Sequence, residues 1–277
     1  MSKLPIVCSF WHGPMSWLER LCITSFIAQG HQFELYSYDC PEVLPEGCKW
    51  RDAAEIVPRE NIFFYKGDRS PAVFADYFRL MLMVREAGIW VDCDMLCIRP
   101  FSGLSSYVFG YEVPPGKQPH AGQINNAVLR LPKDSDLLKA LLGIFDGDSE
   151  KIDPVWMPWY RRMEIAVRRM LGQRIGLTHM QFGATGPFPL THFARMLGKD
   201  GEAMATTVFY PLPYDEVRTM LDPGSSFERY IHPETLGLHL WRMALTNRSR
   251  RPEPQRPFAG SALGEIAGRL GVETDLS

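Results

Sequence analysis

The chain lacks several features that would each indicate a particular class of protein. No apolar run approaches the about 20 residues that a membrane-spanning helix needs. The net charge is only −2, from 30 Lys and Arg against 32 Asp and Glu, so no general attraction to nucleic acid is expected. No internal repeat is visible. These absences exclude an integral membrane protein and leave no reason to expect a nucleic-acid partner.

Cysteine is also scarce, with six residues and no CxxC spacing. The even number would allow disulfides, but the N-terminal sequence MSKLPIVCSFWHG has only a short apolar run and does not look like a signal peptide. Reduced thiols at Cys93 and Cys97 are therefore the simpler interpretation. We expect a cytoplasmic protein, with peripheral contact at the inner face of the membrane left open.

What is present suits a large globular fold. The 277 residues are 45% hydrophobic and 12% aromatic, enough to bury a sizeable core. Residues 4–10 read as a first strand, Ser16 and Glu19 form a capping-box pattern at a helix start, and residues 33–38 alternate as a second strand. A strand, a helix and a strand within this length form a βαβ unit, which favours a parallel sheet. Ligands bind outside the carboxyl ends of such strands, and Trp11 lies at one of them.

The stretch Asp76 to Pro100 carries the strongest chemical pattern. A helical segment ends at Ala87-Gly88, where glycine would take the left-handed conformation, and the short apolar strand 89–91 follows. That strand leads directly into Asp92-Cys93-Asp94. Two carboxylates two residues apart share a side if the strand continues, and they repel unless a cation lies between them. Oxygen ligands of this kind suit Mg²⁺ or Mn²⁺, so the pattern predicts a metal–phosphate site.

Each part of this pattern also has a simpler explanation. An isolated Asp-x-Asp often marks an Asp-rich turn. Asp76 and Arg79 lie three residues apart on one helical face and would then form only an intrahelical salt bridge, worth little at a surface. The direct connection of this helix, through a glycine turn, to the strand bearing the aspartates favours a shared site.

Taken together, the order of these motifs resembles a known family. The Asp-x-x-Arg helix, the Ala/Gly-Gly turn, the apolar strand and the Asp-x-Asp resemble the sugar-binding region of DXD-type glycosyltransferases of family 32, which are related to the glucosylating domains of the large clostridial toxins. The similarity is strongest over 74–100 and extends thinly over about 4–245. The segments that agree elsewhere are Phe10-Trp11-His12-Gly13, Ile124-Asn125-Asn126-Ala127, Thr185-Gly186-Pro187 and His239-Leu240-Trp241.

The resemblance implies roles for individual residues. Asp94 is expected to ligate Mn²⁺ or Mg²⁺, and Asp92 to hold a ribose or sugar hydroxyl and to contact the metal through water. Asp76 and Arg79 are expected to bind sugar hydroxyls. The remaining expected positions are Trp11 for stacking on the base, Asn125 and Asn126 beneath the sugar, and His239 as a third metal ligand with His232 as its weaker competitor. Arg79 and Asn126 join the two aspartates as expected catalytic residues.

The resemblance also implies a fold and an organisation. It predicts an α/β fold of the GT-A (Rossmann-like) kind, with a mixed, mostly parallel central sheet flanked by helices. One catalytic domain is expected over 1–246, with a helical acceptor-side segment around 150–200. The Arg/Pro-rich tail, 247–277, is expected to be poorly ordered apart from one small helix over 261–270.

The predicted function is metal-dependent, retaining transfer of a sugar from a nucleotide-sugar, with UDP preferred, to a glycan, lipid or protein acceptor. One alternative is a haloacid-dehalogenase-type phosphatase, but that chemistry wants Thr or Val where Leu96 stands. Another is a catalytically silent nucleotide-sugar-binding protein. The aromatic and basic segment 155–174 is a solvated face by default, and an acceptor or membrane-surface contact by hypothesis.

Overall fold

The computed structural model describes residues 4–67, 69–118, 120–246 and 253–274. No helix within these ranges is both long enough and apolar enough to cross a membrane. Short 3-10 turns, among them 53–55, 177–179 and 217–221, connect the main elements. In chain order these are β1 (Val7–Phe10), α1 (Trp17–Ala28), β2 (Phe33–Ser37), β3 (Cys48–Asp52), α2 (Ala72–Val84), β4 (Ile89–Val91), β5 (Met95–Cys97), β6 (Val108–Tyr111), β7 (Ile124–Arg130), α3 (Asp136–Gly143), α4 (Trp159–Met170), α5 (Pro187–Met196), α6 (Thr206–Phe209), β8 (Gly237–His239), α7 (Arg242–Leu245) and α8 (Ala262–Arg269).

The chain divides into two compact units. The first unit comprises 1–52, 89–104 and 205–277, and the second comprises 53–88 and 105–204. The single catalytic domain that the sequence predicts over 1–246 stays a prediction.

The first unit contains a parallel sheet with the strand order β3-β2-β1-β4. Val7 of β1 pairs with Phe33 of β2 on one side and with Ile89 of β4 on the other, and all three pairings in this part of the sheet are parallel. β1, β2 and β4 are fully buried, which explains their nearly continuous apolar sequences. This order matches the first strands of the Rossmann arrangement. The predicted α/β fold, Rossmann-like and with a mostly parallel sheet and flanking helices, is confirmed.

Local signals in the first unit explain how its helices begin. At the start of α1 the Ser16 side chain accepts from the Leu18 N–H, and Glu19 accepts from the Ser16 N–H at 2.7 Å, which confirms the capping box. The expected tail helix forms as α8, capped by Ser261. Residues 247–252 of the tail lie outside the described residues. Beyond them, the Gln255 N–H donates to the Leu245 carbonyl at 2.8 Å; the poor order expected for the tail stays a prediction.

One segment of the first unit departs from its expected conformation. Residues 208–210, Val-Phe-Tyr, read as a late strand because such residues favour sheets, but they complete the short helix α6 and its cap. The late strand of this unit forms further along the chain, as β8. It pairs antiparallel with β5 and places Met95 opposite His239. Tertiary pairing overrode local propensity at this point.

The second unit combines one antiparallel strand pair with four helices. β6 pairs with β7 through a bulge between Val108 and Gly110. α5 packs on β7, and α3 lies against both α2 and α5. A separate small core lies beneath α4 and contains Met157, Ile165, Ile175, Leu177, Met180 and Ala184. The helices expected around 150–200 are therefore present.

The end of α2 differs in detail from the sequence expectation. The left-handed residue is Glu86, with φ of 50°, and not Gly88, whose φ is 149°. The Glu86 N–H donates to the Met83 carbonyl and the Ala87 N–H to the Leu82 carbonyl, both at 3.1 Å. These two bonds form a Schellman-type end, which satisfies the last helical carbonyls before β4 begins.

Candidate functional site

The first group of candidate residues lies at the carboxyl ends of β1 and β4. The strand order reverses between these two neighbours, and such a switch point opens a crevice in which α/β proteins bind ligands. Trp11 follows β1, and Asp92 follows β4. The pairing of Cys8 with Trp90 brings both strand ends to the same edge.

The two aspartates lie in a turn and not on a continued strand. β4 ends at Val91, and the Met95 N–H donates to the Asp92 carbonyl at 3.0 Å to close the turn. The condition under which the two carboxylates would share a side of a continued strand is therefore not met. The carboxylates are nevertheless brought together, because Asp92, Asp94 and His239 each offer one ligand atom within 4.8 Å of the others.

His239 reaches this cluster through the β5–β8 pairing. The Leu240 N–H donates to the Asp94 carbonyl at 2.9 Å, which fixes β8 beside the aspartate turn. His239 Nε2 then lies 3.1 Å from Asp94 Oδ1. His232, the competing histidine, is outside the cluster found among the described residues; its backbone N–H donates to Thr235 Oγ1. The structure thus places His239, and not His232, where a third ligand is expected.

A strained backbone completes the environment of Asp94. Trp241 has φ of 43°, in the left-handed region, which costs a bulky residue free energy. That conformation presents the N–H of the next residue, Arg242, to Asp94 Oδ2 at 2.8 Å. The Trp241 ring lies 4.0 Å from the His239 ring, centroid to centroid. Backbone strain that the surrounding structure maintains in this way is characteristic of functional sites.

These contacts fix the charge of Asp94. Burial alone would raise the pKa of its carboxyl, but the charge of His239 and the hydrogen bonds from His239 and from the Arg242 N–H together hold that pKa below its usual value. Asp94 is therefore ionised at neutral pH. Asp92 is oriented separately, since its Oδ1 accepts from Trp90 Nε1 at 2.7 Å.

Neither Arg242 nor its ion pair with Glu19 was predicted from the sequence. The Arg242 Nε donates to Glu19 Oε1 at 2.8 Å, and Glu19 is fully buried. The guanidinium carbon lies 5.8 Å from the centroid of the Trp11 ring. Arg242 therefore links the predicted base platform, Trp11, to the capped start of α1 and to Asp94. The capping box was visible in the sequence, but no local signal connects it to a residue more than 200 positions away.

Cys93 lies between the two aspartates in the sequence, but its thiol is not part of the Asp92, Asp94 and His239 cluster. Its thiol is buried, with Sγ 3.0 Å from Ser9 Oγ. Burial raises its pKa well above the ordinary value, with Glu19, Asp92 and Asp94 adding to the shift. The thiol is thus protonated at neutral pH. None of the six cysteines, all within the described residues, forms a disulfide in the structure, and reduced thiols at Cys93 and Cys97 stay a prediction.

The second group of candidate residues lies within the second unit and surrounds Asp76. Its Oδ1 accepts from Asn126 Nδ2 at 2.9 Å, and its Oδ2 accepts from Thr185 Oγ1 at 2.7 Å. Arg79 Nη2 lies 3.2 Å from Asp76 Oδ1, and Arg79 Nη1 donates to the Asn126 carbonyl at 2.5 Å. Asp76, Arg79 and Asn126 are each less than a tenth exposed. The pair is therefore part of a buried polar network and not a surface salt bridge.

Asn125 takes no part in that network, because neighbouring residues on a strand point to opposite sides. Its Nδ2 donates to Glu112 Oε2 at 2.8 Å, and its Oδ1 accepts from the Ala127 N–H at 2.7 Å. The structure thus separates the two asparagines that the sequence grouped together.

The Asp92, Asp94 and His239 cluster has donors that fit a divalent cation. Two carboxylates, at least one of them ionised, and one imidazole nitrogen converge, and hard cations such as Mg²⁺ and Mn²⁺ take carboxylate oxygens. Buried like charges repel unless a cation or donors compensate them, and donors reach both aspartates here. The ligand roles of these residues stay predictions.

Fold and cluster together define a class: a Rossmann-like α/β protein with a carboxylate–histidine cluster at the carboxyl edge of its parallel sheet. No family model matches the chain. It is similar to subversion of eukaryotic traffic protein A of Legionella pneumophila, with 25% identity over 175 residues, which cover 62% of this chain and 26% of that protein. The match therefore spans about a quarter of that relative's length.

Among solved structures, the chain is similar to that of the PaToxG glycosyltransferase. The alignment covers 70% of each chain at 12% identity, with a TM-score of 0.42.

Proposed function

We propose that this chain is a glycosyltransferase that moves a sugar from a nucleotide-sugar, with UDP-sugars as the first class to test, to a glycan, lipid or protein acceptor. The observation that carries the proposal is the Asp92, Asp94 and His239 cluster at the carboxyl end of β4, at the same edge of the sheet where Trp11 follows β1. Resemblance of the surrounding motifs to DXD-type transferases of family 32 supplies the reaction class. Retention of anomeric configuration and the UDP preference rest on that resemblance alone.

The proposed work of the first group is to hold the diphosphate end of the donor. Asp94 and Asp92, with His239, would hold Mn²⁺ or Mg²⁺, which supplies positive charge against the diphosphate leaving group. The Arg242 N–H and His239 keep the Asp94 carboxylate oriented and ionised. Trp11 offers a half-buried indole, steadied by its Nε1 bond to the Pro14 carbonyl at 3.2 Å, as a stacking surface for the base.

The sugar-binding and catalytic roles predicted for Asp76, Arg79, Asn125 and Asn126 are also part of the proposal. The hydrogen bonds from Asn126 and Thr185 to Asp76 would preorganise that carboxylate. Asn125 has the weaker support, since its amide is already engaged by Glu112.

The test is hydrolysis of nucleotide-sugars with and without Mn²⁺, across UDP- and GDP-linked donors, for the wild type and Asp94→Asn. Changing the partners of a metal ligand typically costs about 10- to 100-fold, so replacing the ligand itself should lower metal-dependent turnover by at least about 100-fold. Asp136→Asn, which alters a carboxylate that is 81% exposed, is the matched control and should retain full activity.

Three results would count against the proposal. Metal-independent turnover would remove the cluster from the mechanism. Equal activity of Asp94→Asn and the wild type would do the same. Tight, Mn²⁺-dependent binding of a UDP-sugar without any hydrolysis or transfer would instead favour the catalytically silent binding protein.

A further inference from the structure

Helix α4 turns its apolar side chains toward solvent. Trp159, Met163, Val167 and Met170 follow one another at spacings of four, four and three residues, which places them on one helical face. Their side chains are 76%, 57%, 43% and 78% exposed, respectively. Ile165 is the only buried residue of the helix. An amphipathic helix of a globular protein normally faces its core with such a stripe, so the orientation is the reverse of the usual one.

The opposite side of α4 is held to the protein in a specific way. Ile165 packs into the small core beneath the helix. Arg169 Nη2 donates to the Ile175 carbonyl at 2.6 Å, and its Nη1 donates to the Ile152 carbonyl at 2.8 Å. The helix is thus anchored through Ile165 and Arg169, and also through Arg162, which donates to the Asp153 carboxylate at 2.8 Å. These contacts fix the outward direction of the stripe.

Basic side chains border the exposed stripe. α4 contains four arginines and a single acidic residue, Glu164. Arg161, Arg162 and Arg168 are partly exposed, with side chains 40% to 43% accessible. Arg161 and Arg168 share the carboxylate of Glu164, and Arg162 pairs with Asp153, so the helix keeps a positive balance at its border. The exposed aromatic pair Trp159 and Tyr160 stands at the first turn. Apolar side chains with aromatic residues at one end and arginines along the border are typical of helices that lie in a membrane interface.

A basic cavity adjoins the helix at Arg168. The cavity has a volume of about 500 Å³, and Lys66 and His179 line it together with Arg168. The Phe182 ring, 53% exposed, stacks on Tyr65 in its wall with centroids 5.0 Å apart. Positive groups beside an exposed apolar stripe complement a negatively charged lipid surface and not an uncharged apolar protein groove.

We infer that the outward face of α4, formed by Trp159, Tyr160, Met163, Val167, Met170 and Leu171, binds the surface of a bilayer that contains anionic lipid. The helix lies flat, with these side chains at the headgroup–acyl boundary and Arg161 and Arg168 at the phosphates, while Arg162 stays bound to Asp153. Arg169 is excluded from lipid contact by its bonds to backbone carbonyls. The inference does not depend on the proposed transferase activity.

The test is flotation of the full chain with vesicles of phosphatidylcholine alone and of phosphatidylcholine mixed with phosphatidylserine. The chain should float with the mixed vesicles and much less with the neutral ones. The triple variant Trp159→Gln, Met163→Gln and Met170→Gln should reduce binding at least about tenfold. It lacks three apolar side chains whose transfer from water into the bilayer would stabilise the bound state. Met196→Gln, a change at a methionine that is 60% exposed on α5, is the matched control and should bind like the wild type.

A second pair of variants separates charge from apolar burial. Arg161→Gln with Arg168→Gln should weaken binding to the mixed vesicles and reduce its sensitivity to salt, whereas binding to neutral vesicles should not change. Failure of the wild type to float with mixed vesicles would overturn the inference, as would equal binding by the triple variant. Concentration-dependent dimers that the triple variant abolishes, without vesicle binding, would assign the face to a second copy of the chain.

Discussion

At the scale of single residues, Gly186 shows how closely the buried network around Asp76 is packed. A Cβ built at this position would lie 2.7 Å from Asn126 Nδ2 and 2.8 Å from Asp76 Oδ1. Neither neighbour moves cheaply, since Asn126 and Thr185 both donate to the Asp76 carboxylate. The glycine in the Thr185-Gly186-Pro187 motif therefore serves the network through the absence of a side chain.

Gly186→Ala should accordingly lower the free energy of unfolding by about 1–3 kcal/mol, the usual range for overpacking in a tight interior. Urea denaturation measures the change. Gly201→Ala is the control, because a Cβ there would meet nothing within 4 Å. Equal stability of the two variants would show that the network can relax around the added methyl group.

At the scale of elements, the start of α1 and the segment after β8 are joined by one carboxylate. Glu19 caps the helix through Ser16 and pairs with Arg242 at the same time, although its side chain is fully buried. Glu19→Gln removes the charge but keeps the shape. It should cost about 2 kcal/mol or more of stability, because the amide keeps only one acceptor oxygen, so that either Arg242 or the Ser16 cap faces an N–H donor and the charge partner of Arg242 is lost.

Thermal or urea unfolding of Glu19→Gln tests this expectation. Glu265→Gln, in the first turn of α8 and exposed, should change stability by less than about 0.5 kcal/mol and serves as the control. If both variants unfold alike, the buried ion pair contributes nothing measurable and the capping role of Glu19 is also in doubt.

His31 provides a pH-dependent link between two segments of the first unit. The Phe101 N–H donates to Nε2, so Nδ1 carries the proton and donates to the Pro5 carbonyl at 3.0 Å. Burial lowers the pKa of this histidine below 6.5, with the Pro5 bond acting in the opposite direction. A second proton would remove the acceptor that the Phe101 N–H needs.

The stability from His31 is therefore fully present above pH 6.5, its unfolded value, and is lost as the pH falls toward the lower folded pKa. Urea unfolding at about pH 7.5 and about pH 5.5 should show a smaller loss on acidification for His31→Gln than for the wild type. His192→Gln, which changes a half-buried histidine of α5, should keep the wild-type difference. An unchanged difference for His31→Gln would assign the pH dependence to other groups.

At the scale of the whole molecule, cation binding should appear as added stability. An ion that binds only the folded chain stabilises it by mass action, about 2.7 kcal/mol at about 100 times its dissociation constant. Mn²⁺ should therefore raise the unfolding midpoint of the wild type, and more so with UDP present. Asp94→Asn should show a much smaller rise, and Asp136→Asn the full one. A rise that survives in Asp94→Asn would place the ion elsewhere.

Local sequence signals gave much of the fold. Buried strands 7–10, 33–37 and 89–91, the capping box at Ser16 and the helix near 262–269 were all predictable, because periodicity and caps act over a few residues. Two expectations about local conformation were wrong, the strand at 208–210 and the left-handed Gly88. At 208–210 a short helix forms against the local β propensity, and at the end of α2 the local Schellman-type hydrogen bonds put Glu86 in the left-handed conformation.

The sequence by itself determined that Asp92 and Asp94 would follow a buried strand of a mostly parallel α/β sheet. It also determined that Asp76 and Arg79 would share a helical face. Only the tertiary structure decided that His239, and not His232, joins the aspartates, and that Arg242 and Glu19 support them. It also decided that the side chains of Asn125 and Asn126 have different partners, and that the apolar stripe of α4 is exposed to solvent. The physical reason is that these relations depend on strand pairing and burial between residues far apart in the chain, which no local pattern encodes.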